Sequence, residues 1–262
     1  TLSTLALGGG TFGLEPPFVL ANLTDFVVGA GLSNTGVFSL EKFLPRAAVE
    51  FDVADNTMVY AVAATGIRNG NLNPSSSAFF ASGGDPAIFS DVRRFSEDEA
   101  VSYELGVKSD WAGGTITANA AAFRTEFKDP QVEFAAPFVT VDNAPDLQIS
   151  GIELETAWRI NANIDAYLSG TAQDTEFQGN QLLSPSTLLA GFAFDLREGN
   201  QAANAPKVSY SVGANAEYPV FGGALNLTGH IGYNYTGARY ANVINYPSSE
   251  LQPLGILNLR LG

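Results

Sequence analysis

The chain has 262 residues and a formal net charge of −14, with 27 glycines, 18 phenylalanines, nine tyrosines and no cysteine. That charge argues against a nucleic-acid footprint, which would be basic, and the missing cysteine removes any disulfide framework or thiolate metal site. No stretch approaches the roughly 20 apolar residues of a membrane helix, so a membrane span, if present, has to be built from strands.

In chain order, a weak strand is expected near 1–8, ahead of a loop containing Gly and Pro. Nine further strands are predicted near 45–54, 57–67, 99–111, 115–128, 147–160, 163–176, 206–219, 223–236 and 251–262. The signal is alternation. Val101, Tyr103, Leu105, Val107 and Trp111 alternate with Ser102, Glu104, Gly106, Lys108 and Asp110. Ile152, Leu154, Thr156 and Trp158 alternate with Glu153, Glu155, Ala157 and Arg159, and Val208, Tyr210, Val212, Ala214 and Tyr218 with Ser209, Ser211, Gly213 and Glu217. Period two means an extended strand with one apolar and one polar face. The 115–128 run is less clean, because Arg124 falls on the parity of Ile116; a bulge, or emergence above a bilayer, would reconcile it.

Short turns join these strands at one end: Asp55-Asn56, Ala112-Gly-Gly114, Asn161-Ala-Asn163 and Phe221-Gly-Gly223. Gly, Asn and Asp supply the backbone angles of tight hairpins. The other connections are long, about 68–98, 128–147, 178–205 and 237–250, and rich in Ser, Asn, Pro and Gly. Short, long, short, long is the pattern of an all-β, antiparallel transmembrane β-barrel wall with its long loops on one side of the membrane. The outward faces are expected to carry Met58, Tyr60 and Val62, then Leu225, Leu227, Ile231, Tyr233 and Tyr235. The lumen face is expected to carry Glu50, Asp52, Glu104, Lys108, Asp110, Glu153, Glu155, Arg159 and Asp165. Trp111, Trp158 and Tyr218 lie near the tight turns on the apolar parity, where they form a membrane-interface girdle.

Chemistry for catalysis is absent from the pattern. His230 stands alone on the lumen parity, and an imidazole without Cys or a second His is a poor metal site; no Gly-x-Ser-x-Gly elbow or triad is visible. The chain is expected to be no enzyme and to need no cofactor or metal. Ligand recognition is expected in the loops, where Phe79, Phe80 and Phe89, then Tyr235, Arg239, Tyr240 and Tyr246, offer aromatic and polar groups suited to a small ligand.

Five stretches resemble the TonB-dependent outer-membrane receptors in the order that family shows them. They are Phe43-Leu-Pro-Arg-Ala-Ala-Val-Glu-Phe51 and Met58-Val-Tyr-Ala-Val-Ala-Ala-Thr-Gly-Ile-Arg-Asn-Gly-Asn-Leu-Asn73, then Glu99-Ala-Val-Ser-Tyr-Glu-Leu-Gly-Val-Lys-Ser-Asp-Trp111. Ala120-Ala-Ala-Phe-Arg-Thr-Glu-Phe-Lys-Asp-Pro-Gln131 and Asn143-Ala-Pro-Asp-Leu-Gln-Ile-Ser-Gly-Ile-Glu-Leu-Glu155 complete the set. The resemblance implies that residues 1–262 are part of one barrel domain, about ten strands of a 22-stranded barrel. An N-terminal plug and the last strands would lie outside this piece, which shows no signal peptide at Thr1 and finishes on Leu257-Asn-Leu-Arg-Leu-Gly262 without an aromatic residue. It further implies location in the outer membrane of a Gram-negative bacterium and a monomeric barrel among its lipids. The function implied is active uptake of a scarce small-molecule nutrient, with ferric siderophore leading, coupled to the TonB protein through the missing N-terminal region. A passive porin, uptake of a glycan or a cobalamin-like ligand, and a soluble secreted β-protein are the alternatives.

Overall fold

A computed structural model describes residues 3–7, 10–14, 41–74, 94–135, 139–183 and 194–262. The first strands, β1 (Ser3–Leu7) and β2 (Gly10–Leu14), form a separate hairpin where a single strand was expected. Then follow β3 (Arg46–Ala54), β4 (Thr57–Arg68), the short β5 (Asn71–Leu72) and β6 (Arg94–Phe95), β7 (Asp98–Trp111) and β8 (Ile116–Lys128). Next come β9 (Gln131–Ala135), β10 (Val139–Asn143), β11 (Leu147–Arg159), β12 (Ile164–Phe177), β13 (Gln181–Leu183) and β14 (Phe194–Leu196). The chain continues through β15 (Val208–Val220), β16 (Leu225–Thr236), β17 (Arg239–Tyr240), β18 (Glu250–Leu251) and β19 (Leu254–Leu261).

Nine of these make one antiparallel meander in the order β19-β16-β15-β12-β11-β8-β7-β4-β3. The expected long strands are all present, with ends shifted by a few residues. The sheet is open: β3 and β19 each have a neighbour on one side. Its tight turns fall at one end and its long connections at the other, as the spacing of the sequence required. At the β7–β8 turn Ala112, Gly113 and Gly114 all take positive φ (52°, 66° and 82°), angles that glycine adopts without steric cost.

Among the described residues nothing covers the sheet. Leu105 and Leu259 are 64% and 69% exposed in mid-strand, and Val49, Ile152 and Leu227 are exposed beside them. A soluble sheet would bury such a face against a second layer; a bare one of this kind suits a wall that faces lipid. Among the described residues the buried apolar side chains are Val132, Ala144, Leu147, Phe177, Leu196 and Ile244, one cluster at the long-loop end. No described helix is long and apolar enough to cross a membrane.

The register corrects one reading of the alternation and removes one of two alternatives for another. Met58, Tyr60 and Val62 pair with Lys108, Gly106 and Glu104, so they face the lumen, and Val59, Ala61 and Ala63 face outward with Val107, Leu105 and Tyr103. A bulge in β8 is excluded, because its pairing runs unbroken against both β7 and β11. Arg124 therefore does point outward, opposite Tyr103 and Ser150. The register irregularity lies in the β3–β4 hairpin, between Asp52 and Ala54.

Candidate functional site

The outer face has three levels. Near the tight turns, Trp111 ends β7, Trp158 stands one residue from the end of β11 and Tyr218 two residues from the end of β15. All three are exposed on the outer face, and Trp111 Nε1–H donates to Ser109 Oγ at 3.0 Å. Above them runs the apolar band. It ends where the outward side chains become charged: Arg124 pairs with Glu126 at 2.7 Å, Lys207 with Asp174 at 2.8 Å, and Lys42 with Glu99. The Lys42 hydrogen bond holds the Glu99 carboxyl below the usual carboxylate range. From Ser150 to Trp158 is eight residues of β11. At about 3.3 Å per residue and a tilt near 40°, that is roughly 20 Å of height, close to the apolar band of an outer-membrane barrel.

Tyrosines mark the upper edge of the band. Tyr210 and Tyr235 stack with centroids 5.1 Å apart, and Tyr233 lies 6.1 Å from Tyr210. The register sets this trio on the outer face with Val212 and Ile231. Tyr235, one of the residues expected to contact a ligand, thus stands on the outer face.

The lumen face is polar and cross-linked. Tyr60 O–H donates to Glu104 Oε1 at 2.6 Å, and Lys108 Nζ lies 5.4 Å from the centre of the Tyr60 ring. The ring lies across Gly106, where a Cβ would collide with it, and Tyr167 lies across Gly213 in the same way. At the tight-turn end Asn215 Nδ2–H donates to Asp165 Oδ2 at 2.8 Å, which leaves Asn215 Oδ1 to accept from His230 Nδ1–H at 2.7 Å. His230 is thus held by an amide, and Arg159 and Arg260 flank that row in register. Among the described residues no His, Asp and Glu group has the arrangement of a metal site.

The long connections are fastened to each other. Each carries its own two-stranded hairpin: β5–β6, β9–β10, β13–β14 and β17–β18. Arg68 Nε–H donates to the buried Asp98 at 3.0 Å, and the Gln131 side-chain amide donates to Asn69 O and Ser96 O. Asn73 closes a reciprocal pair with the Val141 backbone at 2.8 and 2.7 Å. Asn200 donates to the Val243 and Ile244 carbonyls, and Asn245 to Gln201 O, each at 3.0 Å. The buried cluster around Phe177 and Leu196 joins the second, third and fourth connections. These Asn and Gln brackets were not singled out from the sequence, where they merge into ordinary polar loop composition.

Of the expected ligand contacts, Phe79, Phe80 and Phe89 lie outside the described residues. Arg239 and Tyr240 form β17, and Tyr246 is exposed just before Pro247 in the same connection.

The family described as TonB dependent receptor-like, beta-barrel, matches residues 21–262. The pesticin receptor of Yersinia pestis is 24% identical over 159 residues, covering 60% of this chain and 22% of the relative, and its Yersinia enterocolitica counterpart gives the same figures. The ferric yersiniabactin uptake receptor FyuA from Yersinia pestis superposes with a TM-score of 0.61 at 19% identity, over 84% of this chain and 29% of that one. The siderophore receptor PiuA from Acinetobacter baumannii gives 0.58 at 22% identity, over 82% and 28%. The chain thus spans between a fifth and a third of the length of these relatives. An apolar band that no described residue covers, aromatic side chains at both its edges, a polar lumen and loops gathered at one end suit an outer-membrane wall, and the chain belongs to the TonB-dependent receptor family, as part of its β-barrel.

Proposed function

We propose that this wall belongs to a receptor for active uptake of a scarce nutrient across the outer membrane, a ferric siderophore foremost. The observation that carries the reading is the fastened loop assembly above a polar lumen: Phe177 and Leu196 are 1% and 0% exposed inside it. A ligand site built on loops needs a rigid support of this kind. The support for a siderophore is that proteins with the same fold include the siderophore receptor PiuA and the ferric yersiniabactin uptake receptor FyuA.

In this reading the loops and an N-terminal plug bind the ligand outside the cell, and TonB acts on the plug to open the path. Glu50, Asp52, Glu104, Asp110, Glu153 and Glu155 on the lumen side, with Lys108 between them, would hold a plug that presents basic groups. The wall binds and conducts, and no bond is made or broken in the cargo.

The test is iron uptake by cells expressing the full-length gene, with radiolabelled ferric siderophores and with TonB present or deleted. Uptake that disappears with TonB supports the receptor. Flux of small solutes that is indifferent to TonB and to iron supply refutes it and leaves a passive porin.

A further inference from the structure

Charge is unevenly shared across the lumen face. On β3, β7 and β11 that face carries Glu50, Asp52, Glu104, Asp110, Glu153 and Glu155, with Lys108 among them. On β12, β15 and β16 the register sets two neutral rows side by side: Ser169, Ser211 and Asn234, then Thr171, Ser209 and Thr236. Ser211 Oγ–H donates to Asn234 Oδ1 at 2.8 Å. A groove of about 450 Å³ lies over these rows. Glu153 and Glu155 border it on β11, and the exposed Leu254 and Ile256 of β19 stand opposite Thr236 and Asn234 on its other side.

Towards the tight turns the same three strands continue through Gly213 and Gly232, which pair with each other, and the Tyr167 phenol lies flat across both. Beyond Tyr167 a second hollow of about 250 Å³ opens among Asp165, Asn215, His230 and Arg260. Hollows thus follow β12, β15 and β16 from the loop side to the turn side.

The two sectors suit different tasks. A wall that grips a plug needs groups that attract at fixed places, and carboxylates facing basic groups do so. A path for cargo needs the opposite, contacts good enough to admit a solute and weak enough to release it. Hydroxyls and amides hold water and exchange it for polar groups at little loss, and they neither trap nor repel a charged solute. The groove is also of small-molecule size.

We propose that the cargo, a hydrated polar small molecule, passes the plug along β12, β15 and β16, while the plug is gripped on the acidic side by β3, β7 and β11. This path rests on the nutrient-receptor reading above.

The test uses the full-length receptor in cells, freed of any native cysteine, with one thiol introduced at a time. Ser169→Cys and Ser209→Cys place it in the groove, and Ala121→Cys places it on the acidic side, opposite Gly106 and Glu153. A bulky hydrophilic maleimide is expected to label both groove thiols readily. Ala121→Cys should react about tenfold or more slowly, since the plug covers it. Once labelled, either groove variant should lose TonB-dependent uptake of radiolabelled ferric siderophore while still binding it at the cell surface. A small methylthio label at the same thiol should leave most of the uptake. Labelling of Ala121→Cys as fast as of the groove thiols overturns the path, as does loss of surface binding together with uptake. Uptake that still needs TonB but continues past the bulky label strikes the path alone, whereas a wild type without TonB-dependent uptake strikes the underlying reading.

Discussion

Leu154 offers the sharpest test of the wall. It lies four residues from Trp158 and four from Ser150 on β11. Four residues at about 3.3 Å, tilted near 40°, separate it by roughly 10 Å of height from each edge, so it stands near the midplane of the apolar band. Its cross-strand neighbours are Ala120 and Gly170, which offer an arginine neither a carboxylate nor a hydrogen-bond acceptor on a side chain. Leu154→Arg should therefore cost about 2–4 kcal/mol, and Ser150→Arg, at the edge, about 0–1. Glu155→Arg changes the very next residue but enters the watery lumen, and should leave insertion unaffected. The assay is guanidinium titration of the full-length receptor refolded into lipid vesicles, with stability taken from midpoint and slope. A Glu155→Arg cost as large as that of Leu154→Arg would refute the assignment of faces. Equal costs for Ser150→Arg and Leu154→Arg would refute the assignment of depth.

The same titration decides the faces of β4: Val59→Arg should cost about 2–4 kcal/mol while Met58→Arg is tolerated, and the reverse order would restore the reading from sequence. Phe177→Ala should remove about 3–5 kcal/mol of packing from the loop assembly, seen as faster amide hydrogen exchange around Leu196, Asn200 and Ile244 with β7 and β8 unchanged. Lys42→Ala should return Glu99 to the ordinary carboxylate range, read by carbon-13 NMR titration. Because its folded value lies below that range, Glu99 contributes stability above the ordinary carboxylate pKa that fades as pH falls through the lowered value. Lys42, raised, contributes below the ordinary lysine pKa and fades as pH rises through its folded value. Both effects should shrink with added salt, since the pair is exposed.

Strand positions were legible because alternation and turn chemistry act on adjacent residues. In β7 and β11 the two parities differ sharply, apolar against charged, and their faces followed. In β4 they do not: Met58, Val59, Tyr60, Ala61, Val62 and Ala63 are all apolar or nearly so, and bulk pointed the wrong way. What decides is the neighbouring strand, where Gly106 leaves room for Tyr60 and Glu104 accepts its proton donor. Arg124 left a bulge and emergence above the bilayer both open in the sequence, and only the unbroken pairing of β8 with both neighbours removes the bulge. The loop core was illegible for a different reason. Phe177, Leu196 and Ile244 are distant in sequence and share no period, so only the folded chain brings them together. Tyr235 was ambiguous in the sequence itself, sharing parity with Leu227 and Ile231 while standing at the mouth of a loop.

Tyr60 and Tyr167, reclining over glycines of the adjoining strand, have a consequence for anything housed in the barrel. Upright, each phenol would project into the lumen as a peg. Laid down, they leave the charged side chains of the same face, Glu104 and Lys108 beside Tyr60 and Arg159 and Asp165 below Tyr167, as its tallest features. A body fitted against such a lining would meet charged and polar groups, whose contacts water can replace, and little aromatic bulk. The glycines thereby keep two phenol rings from standing in the lumen.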